Sequence, residues 1–218
     1  MSQELAAMRG DLMVNLDSCL YEFERVKELE DRRLYLYGSI LNVDDAENLP
    51  YYDSSISSKF VEFILHFNRV DKDIPVEERE PIRLYINSPG GDVTEGFALI
   101  SAMELSKTPI HTINVGEWCS MAFLIGITGS KRYSLPSSIF MMHEPSGLTV
   151  GKFSDMEDKV EFNKRFNNLL IKKHVLAHSK MTPQKYNSIS KKDFYMLADD
   201  ALKYGFIDEI VTDIDSIL

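Results

Sequence analysis

The strongest constraint on how this chain folds is a rhythm of β-rich runs, glycine-containing turns and helically spaced apolar residues. Arg33–Tyr37 (RLYLY) is built of strand formers and stops at Gly38. After a polar loop containing Pro50, residues Ile56, Phe60, Phe63, Ile64 and Phe67 recur at helical spacing and predict an amphipathic helix over 55–69. An acidic, proline-bounded loop covers 71–81. The second round is Ile82–Asn87, the turn Ser88-Pro89-Gly90-Gly91, and a helix from about Thr94 to Leu105. The third is Ile110–Val115, Gly116, and a helix from about Ser120 to Ile127. Two strand-like runs follow, Arg132–Leu135 and Ile139–Met142, on either side of Pro136-Ser137-Ser138. Met156, Val160, Phe166, Leu169, Leu170 and Val175 then predict the longest helix, from Ser154 to about His178. Near the end Asp199 reads as a helix N-cap, Gly205 as the residue that closes that helix, and Ile207–Val211 as a last strand. Strands alternating with helices mean an α/β fold. The expected organisation is a polar arm over 1–32 and one domain over 33–218.

Charge and cysteine usage remove several function classes. A net charge of −10 over 218 residues is the wrong sign for a nucleic-acid or anionic-membrane partner. Cys19 and Cys119 do not make a disulfide framework, and no CxxC or Cys/His cluster has metal-ligand spacing, so no structural metal is expected. The opening MSQELAAMRGDLM lacks the apolar core of a signal peptide, and the most apolar run, Met121–Ile127, is too short to span a bilayer. The expected location is cytoplasmic.

Three segments can carry chemistry. In Asn87-Ser88-Pro89-Gly90-Gly91-Asp92, paired glycines let the backbone turn and approach a ligand closely, with amides able to face a developing negative charge. The same turn is also a common way to join a strand to a helix. In Gly116-Glu117-Trp118-Cys119-Ser120-Met121-Ala122, Ser120 stands at the start of an apolar helix, either as a plain N-cap or as a nucleophile. This is not the GxSxG elbow of α/β-hydrolases. In Met141-Met142-His143-Glu144-Pro145, His143 ends a strand. A serine hydroxyl is a poor nucleophile until a base within reach takes its proton. His66 and His174 lie on helix patterns, His111 lies in a strand, and His178 stands near a helix end. A carboxylate should orient the base, and Asp155, Asp158, Asp193, Asp199, Asp200 and Asp208 are all placed downstream.

Together LYINSPGGDVTEG (84–96), GEWCSMAFLIGITGSKRYSLP (116–136), MMHEPSG (141–147) and ALKYGFIDEIV (201–211) resemble the proteolytic subunits of the Clp protease, the ClpP family, over roughly residues 33–212. The resemblance implies a ClpP/crotonase-like spiral of β-β-α units with a protruding strand–helix handle at about 144–180. It implies Ser120 as nucleophile, His143 as base and Asp193 as the acid, with the amides of Gly91 and Met121 as oxyanion donors. Gly90, Ser146, Gly147, Leu148 and Thr149 would line the edge where a peptide pairs as an added strand. No cofactor is implied. The partners implied are polypeptide substrates, further copies of the chain in one or two seven-membered rings, and a hexameric AAA+ unfoldase ATPase. Arg83 stands where such chains commonly place an aromatic residue of the ATPase docking pocket, Lys192 where an arginine often precedes the acid, and Leu148 where the substrate edge has a glycine. Other readings are a non-catalytic ring subunit, a phage-type maturation protease, a crotonase-like acyl-CoA enzyme, and a signal-peptide-peptidase relative.

Overall fold

The computed structural model describes residues 31–41, 56–144 and 151–218. The chain divides into two units between Leu34 and Tyr35, and the second holds every element from α1 onward. In chain order the elements are β1 (Arg33–Tyr37), α1 (Ile56–Val70), β2 (Ile82–Ser88), α2 (Val93–Leu105), β3 (Ile110–Cys119), α3 (Met121–Ile127), β4 (Lys131–Ser134) and β5 (Ile139–Met142). A long helical run follows: α4 (Phe153–Phe166), a π-helical stretch Asn167–Ile171, and α5 (Lys172–Ala177). The chain ends with α6 (Pro183–Ile189), β6 (Phe194–Leu197), α7 (Ala198–Tyr204) and β7 (Glu209–Ile210). This is the α/β architecture the alternating pattern predicts. Among the described residues, no helix is long and apolar enough to cross a membrane.

The main sheet has the order β1-β2-β3-β4-β7. Strand β3 is parallel to β2, and β4 is parallel to both β3 and β7. Its central strands β2 and β3 are largely buried on both faces, as parallel strands covered by helices are. Ile82, Leu84, Tyr85 and Ile86 of β2 and Ile110, Thr112, Ile113 and Asn114 of β3 are all buried.

Strand β3 is where the structure departs most from the sequence pattern. The pattern predicts an end at Val115, yet the strand continues through Gly116 to Cys119. Its first half pairs with β4 and its second half with β5. Asn114 manages the change of partner: its Nδ2 donates to the Ile139 carbonyl at 3.1 Å, and its Oδ1 accepts from Gly116 N at 3.0 Å. A side chain at Gly116 would collide with Asn87, whose Oδ1 accepts from Glu117 N at 3.1 Å. The glycine that looks like a strand terminator is therefore a close crossing between two strand ends.

Helix α3 lies against this second half of β3. Trp118 and Phe140 are fully buried, with ring centroids 5.4 Å apart edge to face. Gly126 makes room for the Trp118 indole, which a Cβ there would overlap. Phe123 packs on Phe206 at 4.8 Å. Each such buried aromatic stabilises the fold by roughly 1.5–3 kcal/mol. The floor beneath the β3–α3 junction is thus a packed core.

Smaller corrections follow from local chemistry. Asp199 is not an N-cap; Leu197 holds that position and Asp199 lies exposed in the first turn of α7, where a carboxylate favours the positive end of the helix. Gly205 closes α7 in the left-handed region, φ 74°, as expected. The last strand is only Glu209–Ile210. The long helix starts at Phe153 and widens to a π-turn at Asn167–Ile171 instead of running unbroken.

Candidate active site

The sheet register brings three distant segments to one point. Strand β5 lies parallel to the end of β3, with Cys119 opposite Met141. Strand β6 runs antiparallel to β5, with Met142 opposite Phe194. The next residue along each strand is Ser120, His143 and, on the reversed strand, Asp193. The meeting of these side chains is therefore a consequence of pairing, not of loop placement.

Ser120 sits between β3 and α3 with φ 54° and ψ −120°. Non-glycine residues rarely adopt a positive φ, and such strain costs about 1–3 kcal/mol. It is held by its amide, which donates to the Met141 carbonyl at 2.9 Å, and by its carbonyl, which accepts from Phe123 N at 3.1 Å. Its hydroxyl makes no capping bond to the helix. It is instead 2.7 Å from His143 Nε2. The N-cap reading of this serine is thereby replaced: the residue occupies the cap position and points its side chain elsewhere.

His143 is half-buried, and its Nδ1 faces Asp193 Oδ1 at 3.6 Å. That distance is beyond a hydrogen bond but within an ion pair. The Asp193 side chain is 59% exposed. With Nδ1 protonated toward the carboxylate, Nε2 is left to accept from the Ser120 hydroxyl. Such an arrangement can accept a proton from Ser120 Oγ as that oxygen attacks an electrophilic carbon.

The glycine turn closes over the same serine. Gly90 (φ 96°) packs so tightly that a Cβ would lie 2.6 Å from the Cys119 carbonyl oxygen and 2.8 Å from Met121 N. Gly91 (φ 149°) lies against Ile40, where a Cβ would overlap the carbonyl. The neighbouring amides are engaged: Gly90 N donates to Ser88 Oγ at 3.1 Å, and Asp92 N to the Ile40 carbonyl at 2.8 Å. Among the described residues, neither Gly91 N nor Met121 N has an acceptor. The Met121 amide follows Ser120 directly and Gly90, next to Gly91, packs against Ser120; free amides of this kind can stabilise an oxygen that becomes negatively charged.

A small apolar pocket opens next to Ser120 and His143, lined by Val93, Met121, Phe123, Leu124, Met142 and Ile171. Local sequence pattern misses it, because its lining comes from α2, α3, β5 and the π-helical stretch. Ser146, Gly147, Leu148 and Thr149 lie outside the described residues. The other candidate acids are elsewhere: Asp208 forms a bidentate pair with Arg132 (2.6 and 3.0 Å), and Asp155, Asp158, Asp199 and Asp200 are exposed. Burial pushes the Asp208 carboxyl up, but the Arg132 hydrogen bonds and charge outweigh it and hold it below its ordinary range. Arg83 pairs with Glu80 at 3.6 Å, and Lys192 is exposed.

Cys119 is not a second nucleophile. It is buried, and its Sγ donates to Glu117 Oε2 at 3.4 Å. Burial first, then the Glu117 hydrogen bond and charge, push its thiol up to about 12. The thiolate a nucleophile requires is therefore suppressed.

Against known protein families, the Clp protease model matches residues 52–213, a span that takes in every element from α1 to β7 and all three of Ser120, His143 and Asp193.

Proposed function

The chain belongs to the Clp protease family, and from that premise we propose that it is a serine endopeptidase acting on unfolded polypeptides. The observation that carries this reading is the 2.7 Å contact between Ser120 Oγ and His143 Nε2. In the proposed reaction Ser120 Oγ attacks the scissile carbonyl carbon while His143 takes its proton. The amides of Gly91 and Met121 stabilise the oxyanion. His143 then protonates the leaving amine, and water, activated by the same imidazole, releases the acyl group. Asp193 orients His143 and stabilises the imidazolium. The apolar pocket receives the side chain before the cleaved bond. Gly90 and the segment Ser146–Thr149 pair with the substrate backbone as an added strand.

The assembly in this proposal is a homo-oligomeric ring, seven-membered and possibly stacked in pairs, fed by an AAA+ unfoldase. Apolar residues of the long helical run support an assembled state: Phe153, Phe162, Leu169 and Leu170 are exposed in the single chain. Such a stripe is costly in water unless another surface covers it.

A second reading, a ring subunit without activity, draws on the 3.6 Å gap between His143 and the exposed Asp193. Light scattering of the purified protein beside hydrolysis of a fluorogenic peptide separates the two. A ring that cleaves supports the peptidase. A ring that binds a peptide but never cleaves it supports the inactive subunit.

A further inference from the structure

Away from Ser120, the side chains of Glu104, His174 and His178 converge. Glu104 lies in the last turn of α2, His174 lies in α5, and His178 caps the C-terminus of α5. Residues four apart share a helix face, and here the two rings are 4.4 Å apart between centroids. Glu104 Oε1 faces both, 3.3 Å from His174 Nδ1 and 3.4 Å from His178 Nε2.

The other ring nitrogen of His174 faces two oxygens. Nε2 lies 3.1 Å from Thr128 Oγ1 and 3.2 Å from the Leu124 carbonyl oxygen. The single hydroxyl proton of Thr128 is already donated to that same carbonyl at 2.8 Å. With the hydroxyl so directed, both neighbours of Nε2 are acceptors, and the tautomer protonated at Nε2 is the one that fits them. Neutral His174 then turns a bare Nδ1 lone pair toward a carboxylate oxygen 3.3 Å away. Two acceptors at that distance repel unless positive charge lies between them. A bound cation supplies it.

We propose that Glu104, His174 and His178 form a binding site for a divalent transition-metal ion of the zinc class, one per chain. Zinc takes imidazole nitrogen and carboxylate oxygen at roughly 2.0–2.2 Å in a tetrahedron, whose edges are then about 3.3–3.6 Å. The separations of 3.3 and 3.4 Å are already such edges. All three donor atoms lie within 4.8 Å of one another, so a small rotation of a histidine completes the face. The Nε2–H of His174, held by the Leu124 carbonyl, is the second hydrogen bond a metal-bound imidazole normally makes. Two imidazoles select zinc-class ions over magnesium and calcium, which prefer oxygen. The Glu104 side chain is 47% exposed and that of His178 is 26% exposed, which leaves an open side for entry and for a water as fourth ligand.

The ion would tie α2 to the end of α5. Through Leu124 and Thr128 it would also brace α3, the helix that begins directly after Ser120. Local pattern misses this group: His174 and His178 stand four apart on one helix, but Glu104 comes from another helix far away in the chain.

Metal-free full-length protein, titrated with zinc chloride by calorimetry and followed by thermal unfolding, tests the site. The expected result is one ion bound per chain with a raised unfolding midpoint. Both effects should vanish in Glu104→Gln and His178→Ala, and both should persist in His143→Ala. Glu104→Gln keeps the side-chain volume at a half-exposed position, so loss there reports the ligand and not the fold. Cobalt(II) gives a second readout, with tetrahedral absorption bands in the wild type and none in the variants. Absence of zinc binding by the wild type, or equal binding by Glu104→Gln and His178→Ala, would overturn the proposal.

Discussion

His143 Nε2 meets Ser120 Oγ at 2.7 Å because β5 runs parallel to the far end of β3 and carries His143 two residues past the Met141 carbonyl that anchors the Ser120 amide. The contact on the other side of the ring is slacker, 3.6 Å to Asp193. This asymmetry predicts unequal costs of removal. Ser120→Ala and His143→Ala should each lower peptide hydrolysis by on the order of 10⁴-fold or more. Asp193→Asn should cost at least about tenfold less than either, since an orienting carboxylate contributes less than the groups that react. Steady-state rates of the three variants check the order, and an Asp193→Asn loss equal to that of His143→Ala would contradict it.

The glycine turn gives a second prediction. A methyl at residue 90 would press on Cys119, Ser120 and Met121 together. Gly90→Ala should therefore shift the Met121 amide and lower kcat by about 10²–10³-fold, the usual effect of losing one oxyanion donor. Because the strain falls on the turn, circular dichroism should remain that of the wild type. A variant with unchanged kcat would show that the turn does not contribute to the site.

Cleavage preference follows from the pocket. Its lining of Val93, Met121, Phe123, Leu124, Met142 and Ile171 offers no charge. A charged side chain set against this lining would lose its hydration without a partner, so peptides with aspartate or lysine before the cleaved bond should fall below those with a small apolar residue by at least ~10-fold in kcat/KM. A fluorogenic series measures this, and equal rates for charged residues would contradict it.

Cys119 supplies a test independent of activity. With its thiol pushed up to about 12, almost no thiolate exists at about pH 8, where an ordinary cysteine reacts readily. Iodoacetamide followed by peptide mapping should leave Cys119 unmodified in the folded protein and label it after denaturation. Rapid labelling of the native protein would contradict its burial.

The Arg132–Asp208 pair predicts how stability depends on pH. Arg132 also donates to the carbonyls of His178 at 2.7 Å and Gly205 at 2.9 Å, so it ties β4 to the chain beyond α5 and α7. The Asp208 pKa is lowered in the fold, so its contribution is complete above the ordinary carboxylate value of about 3.9 and fades as pH falls through the lowered one. Asp208→Asn should lose about 0.5–1.5 kcal/mol at about pH 7, since solvent screens a carboxylate that is 39% exposed, and less at about pH 3. Denaturation at the two pH values checks this, and a loss that does not shrink in acid would contradict it.

Much of this architecture is readable from local pattern. The apolar spacing of Phe60, Ile64 and Phe67 identifies α1, and all three are buried. Gly205 ends α7 as its position suggests. What local pattern misses depends on partners distant in sequence. Gly116 looks like a stop, and only Asn87 crossing it explains why β3 continues. Strand β6 carries little signal: it is short, and of its residues only Met196 is buried. Its pairing with β5 is nevertheless what brings Asp193 near His143, so spacing alone could not choose among the aspartates, and the resemblance had to. For Ser120 the residue type fits both a cap and a nucleophile. The positive φ and the direction of the hydroxyl distinguish them, and neither is written in the neighbouring residues.

The most direct test of the central claim is fluorophosphonate labelling of the native protein, with the modified residue located by mass spectrometry. The account predicts a single adduct on Ser120, absent from Ser120→Ala and strongly slowed in His143→Ala. An adduct elsewhere, or undiminished labelling of Ser120→Ala, would contradict it.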